Sequence, residues 1–265
     1  MDPRATANPR LESLAGHTLI PDDDPAEHFH QASNLYRRYR VGSEMTLTEA
    51  QRDELLEATS ATPGKQYFYA PQVKLPAPAR LDPSAAEPQV AATSNGVSEA
   101  ALSTLLFEAY GEVTDDDGRA ARTVPSAGRC MALDVYVVCA AVDGMAPGLY
   151  RYEPSQHTVQ FVAAEVTTED VAAATLDRTM VQQAACVFVV SSIFWRSRIV
   201  HGLRGYRMVW LEAGQAMQNL MRAGRALGLS VAPVASFYDE ELAALLRMDG
   251  VTEAPLYLAS CGRQA

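Results

Sequence analysis

The sequence predicts an α+β fold built on a largely antiparallel or mixed sheet. Runs rich in β-branched and aromatic residues, typical of buried strands, recur in the second half of the chain, among them ALDVYVVCAAV and ACVFVVSSIF. Two further runs, GLYRYEP and TVQFVAA, flank the short connection SQH and predict a hairpin. Helical patterns lie between these strands in a mixed order, which favours α+β over a purely parallel sheet.

The helical segments carry recognisable start and stop signals. PAEHFHQASNLYRRYR spaces its apolar residues at helical intervals, and Thr48 with Gln51 predicts a capping box at the start of a second helix, LTEAQRDELLEAT. Ser98 is expected to cap a helix that ends at Gly111. TTEDVAAATLDR predicts another capped helix, and DEELAALLRM a short one near the end of the chain.

A longer helix is predicted over residues 208–229. It carries no charge between Glu212 and Arg222, and several of its residues are alanine or glycine, which permit close approach of a neighbouring helix. A helix that is apolar or small on most faces is buried, so we expect this helix at the centre of the domain or of a dimer. Gly228 is expected to end it. SVAPVASF and APLYLASCG predict the last two strands.

The pattern divides the chain into three parts. Residues 1–24 are polar and contain proline, which predicts a disordered N-terminal arm. Residues 25–95 form a helical and proline-rich extension, in which TPGKQYFYAPQVKLPAPARLDPSAAEP indicates an extended wrapping segment or a linker. Residues 96–265 hold the strands and the long helix, and so the main domain.

Composition excludes several classes of function. The chain has 265 residues, 48% of them hydrophobic, and a net charge of -10, which disfavours nucleic-acid binding. It has no apolar run of membrane-spanning length and no signal-peptide core, so a cytoplasmic protein is expected. Its four cysteines form no CxxC pair, and we predict no metal site. Neither a GxGxxG turn nor a P-loop motif is present.

Four motifs in the same order resemble a known family. RTVPSAGRCMALDVYVV, APGLYRYEPSQHTV, RGYRMVWLEAGQAMQNLMRAGRALGLSVAPVASF and EAPLYLASCG together resemble SagB-type dehydrogenases, a branch of the FMN-dependent nitroreductase fold. The resemblance covers residues from about 96 to 261. It implies a homodimer with the long helix at its interface, one FMN per subunit, and a sheet flanked by helices. It also implies oxidation of thiazolines or oxazolines in peptides or carrier-bound intermediates.

The resemblance assigns two segments to the flavin. One should approach its pyrimidine edge, where small residues allow close contact, and the other should lie against the opposite side of the ring system. These segments are the loop Pro125, Ser126, Ala127 and Gly128, and the stretch Ala232, Pro233 and Val234. The alternative interpretations are an ordinary strand-entry turn for the first segment and an ordinary edge strand for the second.

The sequence departs from the family pattern at the phosphate. Relatives carry an Arg-Arg-Ser type motif shortly before the helix that Ser98 caps here, yet no arginine or lysine occurs between Arg80 and Arg119. A dianionic phosphate needs hydrogen-bond donors or positive charge. Arg122 and Arg263 are the candidates for this role, with Arg119 and the arginine-rich stretch RSRIVHGLRGYR as alternatives.

The second departure concerns the catalytic pair. Azoline-oxidising relatives keep a Lys-Tyr pair in a WKYGERGYR-like segment, and alignment on RGYR puts that pair at Val200 and His201. Valine cannot transfer a proton, whereas histidine titrates near neutral pH. His201 is therefore the candidate base, with Arg198 or Arg204 steering substrate or phosphate. The alternative is a surface histidine in an arginine-rich loop.

Two functions follow. The first is an FMN-dependent dehydrogenase that oxidises azoline rings to azoles in natural-product biosynthesis, with a peptide or carrier-bound substrate and possible association with a cyclodehydratase complex. The second is a catalytically degenerate subunit that keeps the fold and acts as a scaffold or partner in a peptide-modifying complex. Loss of both family motifs favours the second function. A flavin reductase, or an oxidase acting on another substrate, is a third possibility.

Overall fold

The computed structural model describes residues 25–33, 50, 51, 54, 65, 67, 69–81 and 96–263. The chain divides into two compact units, residues 1–44 and 45–265. Within its described part, the first unit holds the helix α1 (Pro25–Ala32). The predicted N-terminal arm and the predicted cap at Thr48 lie outside the described residues. All other elements described below belong to the second unit.

The second unit is organised around a seven-stranded sheet. Its order is β1-β6-β5-β4-β7-β9-β8, and each of these pairings is antiparallel. Its strands are β1 (Gln72–Lys74), β4 (Leu133–Cys139), β5 (Gly148–Glu153), β6 (Thr158–Ala163), β7 (Cys186–Ile193), β8 (Leu229–Val234) and β9 (Glu253–Arg263). A separate hairpin pairs β2 (Glu112–Thr114) with β3 (Ala120–Arg122).

Six helices accompany the sheet in this unit's described residues. They are α2 (Glu99–Tyr110), α3 (Thr168–Ala173), α4 (Arg178–Gln182), α5 (Trp195–His201), α6 (Arg204–Ala226) and α7 (Asp239–Leu245). Ser98 caps α2 by accepting a hydrogen bond from the backbone N–H of Ala101, and Thr167 caps α3 through a capping box with Asp170. Both caps were predicted from the sequence, and they satisfy backbone donors that a helix start leaves unpaired.

The two faces of the sheet bury separate hydrophobic clusters. Alternation along β4 assigns Val135 and Val137 to a cluster with α2 and α6, and Tyr136 and Val138 to a cluster with α3, α4 and α7. The sheet therefore lies between two helical layers. Because both of its faces are covered, its central strands are apolar on both sides, which is why they read as continuous hydrophobic runs. The α+β fold with an antiparallel sheet is confirmed.

The arginine-rich stretch RSRIVHGLRGYR is helical, which corrects the expectation of a loop. α5 ends at His201, Gly202 makes the turn with a φ of 59°, and α6 begins at Arg204, four residues before the predicted start of the long helix. The two helices pack so closely that a Cβ on Gly205 would lie 2.7 Å from the backbone of Ser197. The turn and this close crossing both need glycine, which explains why the helix pair fits here.

The first arginine of this stretch is structural. Arg196 is buried, and its Nη1 lies 2.9 Å from Oδ2 of Asp134 on β4. Asp134 also binds Arg151 of β5, with 2.6 Å between Oδ1 and Nη2. A charge that looks solvated in the sequence therefore anchors α5 to the central strands.

Two smaller elements were not predicted. The acidic segment after α2 forms the β2–β3 hairpin, and α4 is a further short helix. Among the described residues, no helix is long and apolar enough to span a bilayer.

Candidate functional site

The predicted flavin loop forms a tight turn before β4. Ala127–Arg129 is one turn of 3-10 helix, and Gly128 has a φ of 60°. A Cβ added to Gly128 would lie 2.7 Å from Nε2 of His201. Glycine is thus required twice at this position, once for the left-handed backbone and once for the imidazole that occupies the space of a side chain.

His201 contacts this loop directly. Its Nε2 lies 3.2 Å from the carbonyl oxygen of Ala127. A carbonyl only accepts hydrogen bonds, so a neutral imidazole in this contact carries its proton on Nε2 and keeps a lone pair on Nδ1. The structure therefore brings together two groups that lie in separate motifs of the sequence, the loop and the candidate base, which are more than 70 positions apart in the chain.

A cavity of about 370 Å³ opens beside the loop. This volume falls in the range of roughly 300–1,000 Å³ that is typical of small-molecule sites. Its wall is formed by Asp115, Ala121, Arg122, Thr123, Val124, Pro125, Ser126, Arg129 and Met131. Three of the predicted cofactor residues, Arg122, Pro125 and Ser126, thus lie around one space.

Arg122 has a donor to spare in this wall. Its Nη1 binds Oε2 of Glu112 at 2.7 Å, and its guanidinium lies over the ring of Tyr110, 5.5 Å from the centroid. Its Nε is buried and has no hydrogen-bond partner. An unsatisfied buried N–H is uncommon in proteins and indicates a missing acceptor. The guanidinium as a whole belongs to the cavity wall and carries the positive charge that suits a phosphate or another anion.

A buried carboxylate on α6 is hydrogen-bonded to the loop. Glu212 of α6 accepts hydrogen bonds from the hydroxyls of Tyr110 and Ser126, the latter at 2.8 Å. Burial raises the pKa of Glu212 and outweighs these hydrogen bonds and the attraction of Arg122. Glu212 is the one charged residue between Arg207 and Arg222, and an isolated charge in an otherwise uncharged helix is the signal that could mark it as a site residue. Its partners could not be read from local pattern.

The other predicted site residues lie elsewhere in this chain. Arg198 is exposed on α5, and Arg204 is half-buried at the first position of α6. Neither belongs to the cavity wall. Their proposed role in steering substrate or phosphate stays a prediction.

The stretch on β8 is also separate from the cavity wall. β8 is an edge strand of the sheet, in which Ala232 is half-buried and Pro233 exposed, while Val234 packs in the cluster with α3, α4 and α7. Proline without an N–H is well suited to such an edge. Arg263 ends β9 opposite Leu229, and its side chain lies outside the described ones.

Comparison with known proteins agrees with this fold. Residues 92–263 match the model of the Nitroreductase family. A protein of Methanocaldococcus jannaschii that carries the name nitroreductase is 36% identical over 163 residues, which cover 62% of this chain and 79% of that protein.

Two solved structures share the fold. One is a structure from Anabaena variabilis that carries the name nitroreductase, with a TM-score of 0.66 and 21% identity over 89% of this chain. This chain spans 45% of the length of that one. The other is the E. coli microcin synthetase McbBCD complex with truncated pro-MccB17 bound, with a TM-score of 0.57 and 19% identity over 96% of this chain and 86% of the other.

The family match covers more than half of the chain, and it begins just before α2 and ends with β9. It includes both the tight turn at Gly128 and the helix that carries His201. The chain therefore belongs to the Nitroreductase family, a family of oxidoreductases that use FMN.

Proposed function

We propose that this protein is an FMN-dependent dehydrogenase that oxidises thiazoline or oxazoline rings in a peptide or carrier-bound substrate. One observation supports the proposal above all others: His201 lies against the Pro125–Gly128 loop, with 3.2 Å between its Nε2 and the carbonyl oxygen of Ala127. A proton-transfer group thus stands next to the loop that the family resemblance assigns to the flavin. The SagB-type assignment within the family is part of this proposal.

The residues around the cavity fit a bound FMN. Arg122 offers a buried, unsatisfied Nε, and the cavity volume of about 370 Å³ is that of a small-molecule site. Arg122 would hold the anionic end of the cofactor, in place of the missing Arg-Arg-Ser motif. Pro125, Ser126, Ala127 and Gly128 would lie along its ring. The proposal also keeps Ala232, Pro233, Val234 and Arg263 as cofactor contacts.

Bound FMN supplies a ring that accepts a hydride from the substrate. The protein has to orient the azoline ring and receive the proton released from the neighbouring ring carbon. Since Nε2 of His201 is committed to Ala127, its Nδ1 is the atom that takes this proton. Arg198, exposed at the same helix, is placed to attract an acidic or carboxylate-bearing substrate.

A homodimer is part of the proposal. α6 exposes large apolar side chains on one side, with Trp210 43% and Leu211 62% exposed. Next to them, a Cβ on Gly214 would meet nothing within 4 Å. A strip that joins exposed aromatic and aliphatic residues to a glycine suits close packing of a second helix. The second copy of the chain is the expected occupant, and β8 and Arg263 are expected to reach the cofactor site only in the dimer.

The peptide substrate rests on a structural likeness. The fold of this chain resembles a chain of a synthetase complex that was solved with truncated pro-MccB17 bound. This likeness supports a role in a peptide-modifying complex, with a cyclodehydratase as the expected partner.

The experiment is a comparison of two substitutions at His201. The purified protein should be yellow and bind FMN, and it should oxidise a thiazoline-containing peptide to the thiazole. His201→Gln retains an N–H for the carbonyl of Ala127 but cannot take a proton, whereas His201→Ala removes both functions. Both variants should bind FMN and lose turnover by roughly 10²-fold or more, the scale of general-base catalysis. Unchanged turnover in His201→Gln would remove His201 from the mechanism.

The alternative function is a catalytically degenerate subunit that acts as a scaffold in a peptide-modifying complex. The absence of the Lys-Tyr pair at Val200 and His201 favours it, as does the likeness to a multi-protein synthetase. A colourless protein whose thermal stability does not rise with added FMN, but which binds a partner subunit, would support this function over the first.

A further inference from the structure

The carboxylate of Glu212 is the centre of a hydrogen-bond network that catalysis does not use. Glu212 is 3% exposed, in the middle of α6. Its Oε1 accepts a hydrogen bond from the hydroxyl of Tyr110, and its Oε2 accepts one from the hydroxyl of Ser126 at 2.8 Å. One side chain thus accepts from two hydroxyls, one on α2 and one in the segment 126–133.

Both hydroxyl donors in turn accept from the same segment. The N–H of Met131 donates to Oγ of Ser126 at 2.9 Å, and the N–H of Leu133 donates to the hydroxyl of Tyr110 at 3.3 Å. Since the carboxylate orients both hydroxyls as donors, their lone pairs are left to face these backbone N–H groups. Glu212 therefore holds three positions between 126 and 133, namely Ser126 directly and Met131 and Leu133 through one hydroxyl each.

This segment has an unusual backbone that needs such support. The φ angles of Gly128, Arg129 and Met131 are 60°, 55° and 45°. Two of these residues carry side chains, for which the left-handed region is unfavourable. Strained backbone persists only where surrounding interactions fix it, and it is frequent at functional sites.

The same segment forms the wall of the candidate cofactor site. Ser126, Arg129 and Met131 line the cavity of about 370 Å³, and Gly128 touches His201. Arg122, the candidate anion ligand, lies over the ring of Tyr110. The network thus ties α2, α6 and the loop together, with Ser126 in both the network and the cavity wall.

We propose that Glu212 is a positioning residue that holds the segment 126–133 in its strained conformation and so preorganises the cofactor loop. The link to the cofactor rests on the proposed function. The link to the conformation of the segment does not, because it can be measured in the protein without FMN.

Two measurements test the proposal on the full chain. Amide hydrogen exchange without FMN reports on the segment itself, and titration of FMN fluorescence reports on cofactor affinity. In Glu212→Gln, one of the two acceptor contacts must become a donor contact, and we expect protection in 126–133 to fall by about tenfold or more. The dissociation constant for FMN should rise by a similar factor.

Leu220→Ala is the matched control. Leu220 is buried on the same helix, 1% exposed, and belongs to the hydrophobic cluster. Its truncation destabilises the domain without removing a hydrogen bond from the loop. We expect it to lower the melting temperature while the dissociation constant for FMN stays within about twofold of wild type. If Glu212→Gln does not fold, Tyr110→Phe replaces it, because this variant keeps the ring and removes one hydroxyl donor to Glu212. It should lower the protection of residues 126–133 as well, but by less than Glu212→Gln.

The outcomes separate the two proposals. Wild-type exchange in 126–133 for both Glu212→Gln and Tyr110→Phe overturns the positioning role, whatever FMN does. Increased exchange together with a wild-type protein that binds no FMN supports the positioning role and removes the cofactor from the proposed function. A loss of FMN affinity in Leu220→Ala equal to that in Glu212→Gln would reduce Glu212 to a general stabilising residue and overturn the proposal.

Discussion

Two of the buried carboxylates, Asp134 and Glu212, are compensated in opposite ways. Asp134 lies between two guanidinium groups, 2.6 Å from Nη2 of Arg151 and 2.9 Å from Nη1 of Arg196. Glu212 faces two hydroxyls, those of Tyr110 and Ser126. Burial is the largest single influence on both carboxyl groups, and taken alone it would raise the pKa of each. At Asp134 the two arginines outweigh it and the pKa is lowered, whereas at Glu212 burial prevails and the pKa is raised.

The two networks support different halves of the candidate site. Arg196 belongs to α5, so its bond to Asp134 fixes the helix that carries His201. Glu212 fixes the loop that His201 touches. The difference indicates a carboxylate paired with guanidinium groups beneath the candidate base and a carboxylate held by hydroxyl hydrogen bonds beneath the cofactor loop.

The largest expected effect is the removal of Asp134. Asp134→Ala leaves Arg151 and Arg196 buried with too little negative charge, since Glu153 is the one carboxylate within the described residues that still pairs with Arg151. Breaking a buried ion pair by removing one partner typically lowers the free energy of unfolding by about 3–5 kcal/mol. Urea unfolding should show a loss of this size. Glu165→Ala, which removes the exposed partner of Arg247, should leave the midpoint nearly unchanged, and equal losses in the two variants would contradict the assignment.

Long-range pairing also explains which parts of the structure the sequence could predict. β4, β7 and the capped helices α2 and α3 follow from local apolar runs and caps, and these predictions are confirmed. The start of α6 was misplaced because its first turn contains Arg204 and Arg207, which resemble solvated loop residues. Local charge pattern cannot reveal a partner that lies on a distant strand.

The same reason limits the prediction of the site. The motif resemblance identified Pro125–Gly128 and His201 separately, and the fold places them in contact. Arg196 binds Asp134, which lies 62 positions away along the chain. Glu212 binds Ser126 and Tyr110, which lie 86 and 102 positions away. Contacts at such separation depend on the whole topology and leave no periodic signal in the sequence.

The second prediction uses pH to distinguish the two carboxylates. Glu212 has a folded pKa above its ordinary 4.5, so its contribution to stability is complete below pH 4.5 and is lost as pH rises through the folded pKa. Asp134 has a folded pKa below its ordinary 3.8, so its contribution is complete above pH 3.8 and is lost as pH falls through the folded pKa. The two groups should therefore affect stability at opposite ends of the pH range.

Urea unfolding of wild type, Glu212→Gln and Asp134→Asn from pH 3 to 9 measures this difference. The stability gap between wild type and Glu212→Gln should narrow as pH rises above 4.5, with a slope of at most about 1.4 kcal/mol per pH unit. The gap between wild type and Asp134→Asn should narrow only as pH falls below 3.8. Gaps that do not change with pH would show that neither carboxyl has a shifted pKa in the folded protein.

The smallest expected effect concerns the contact between the two halves of the site. Gly118→Ala and Gly128→Ala both place a side chain at positive φ, 77° and 60°, but only the second meets another group, Nε2 of His201 at 2.7 Å. Backbone strain alone should lower the free energy of unfolding by about 1–2 kcal/mol at either site. The contact with the imidazole adds a further loss, of about 1 kcal/mol, at Gly128 alone.

A double substitution isolates that further loss. In the His201→Ala background the imidazole is gone, and the next neighbour of a Cβ at position 128 is Cγ1 of Val200, at an ordinary 3.4 Å. Gly128→Ala should then lower stability no more than Gly118→Ala does, and the coupling energy between positions 128 and 201 should be about 1 kcal/mol. The stability losses of Gly118→Ala and His201→Ala should simply add, because a Cβ at position 118 has nothing within 4 Å. Equal losses for Gly128→Ala with and without the imidazole would mean that the loop and the histidine helix do not touch in solution. The contact that supports His201 as the base would then be absent.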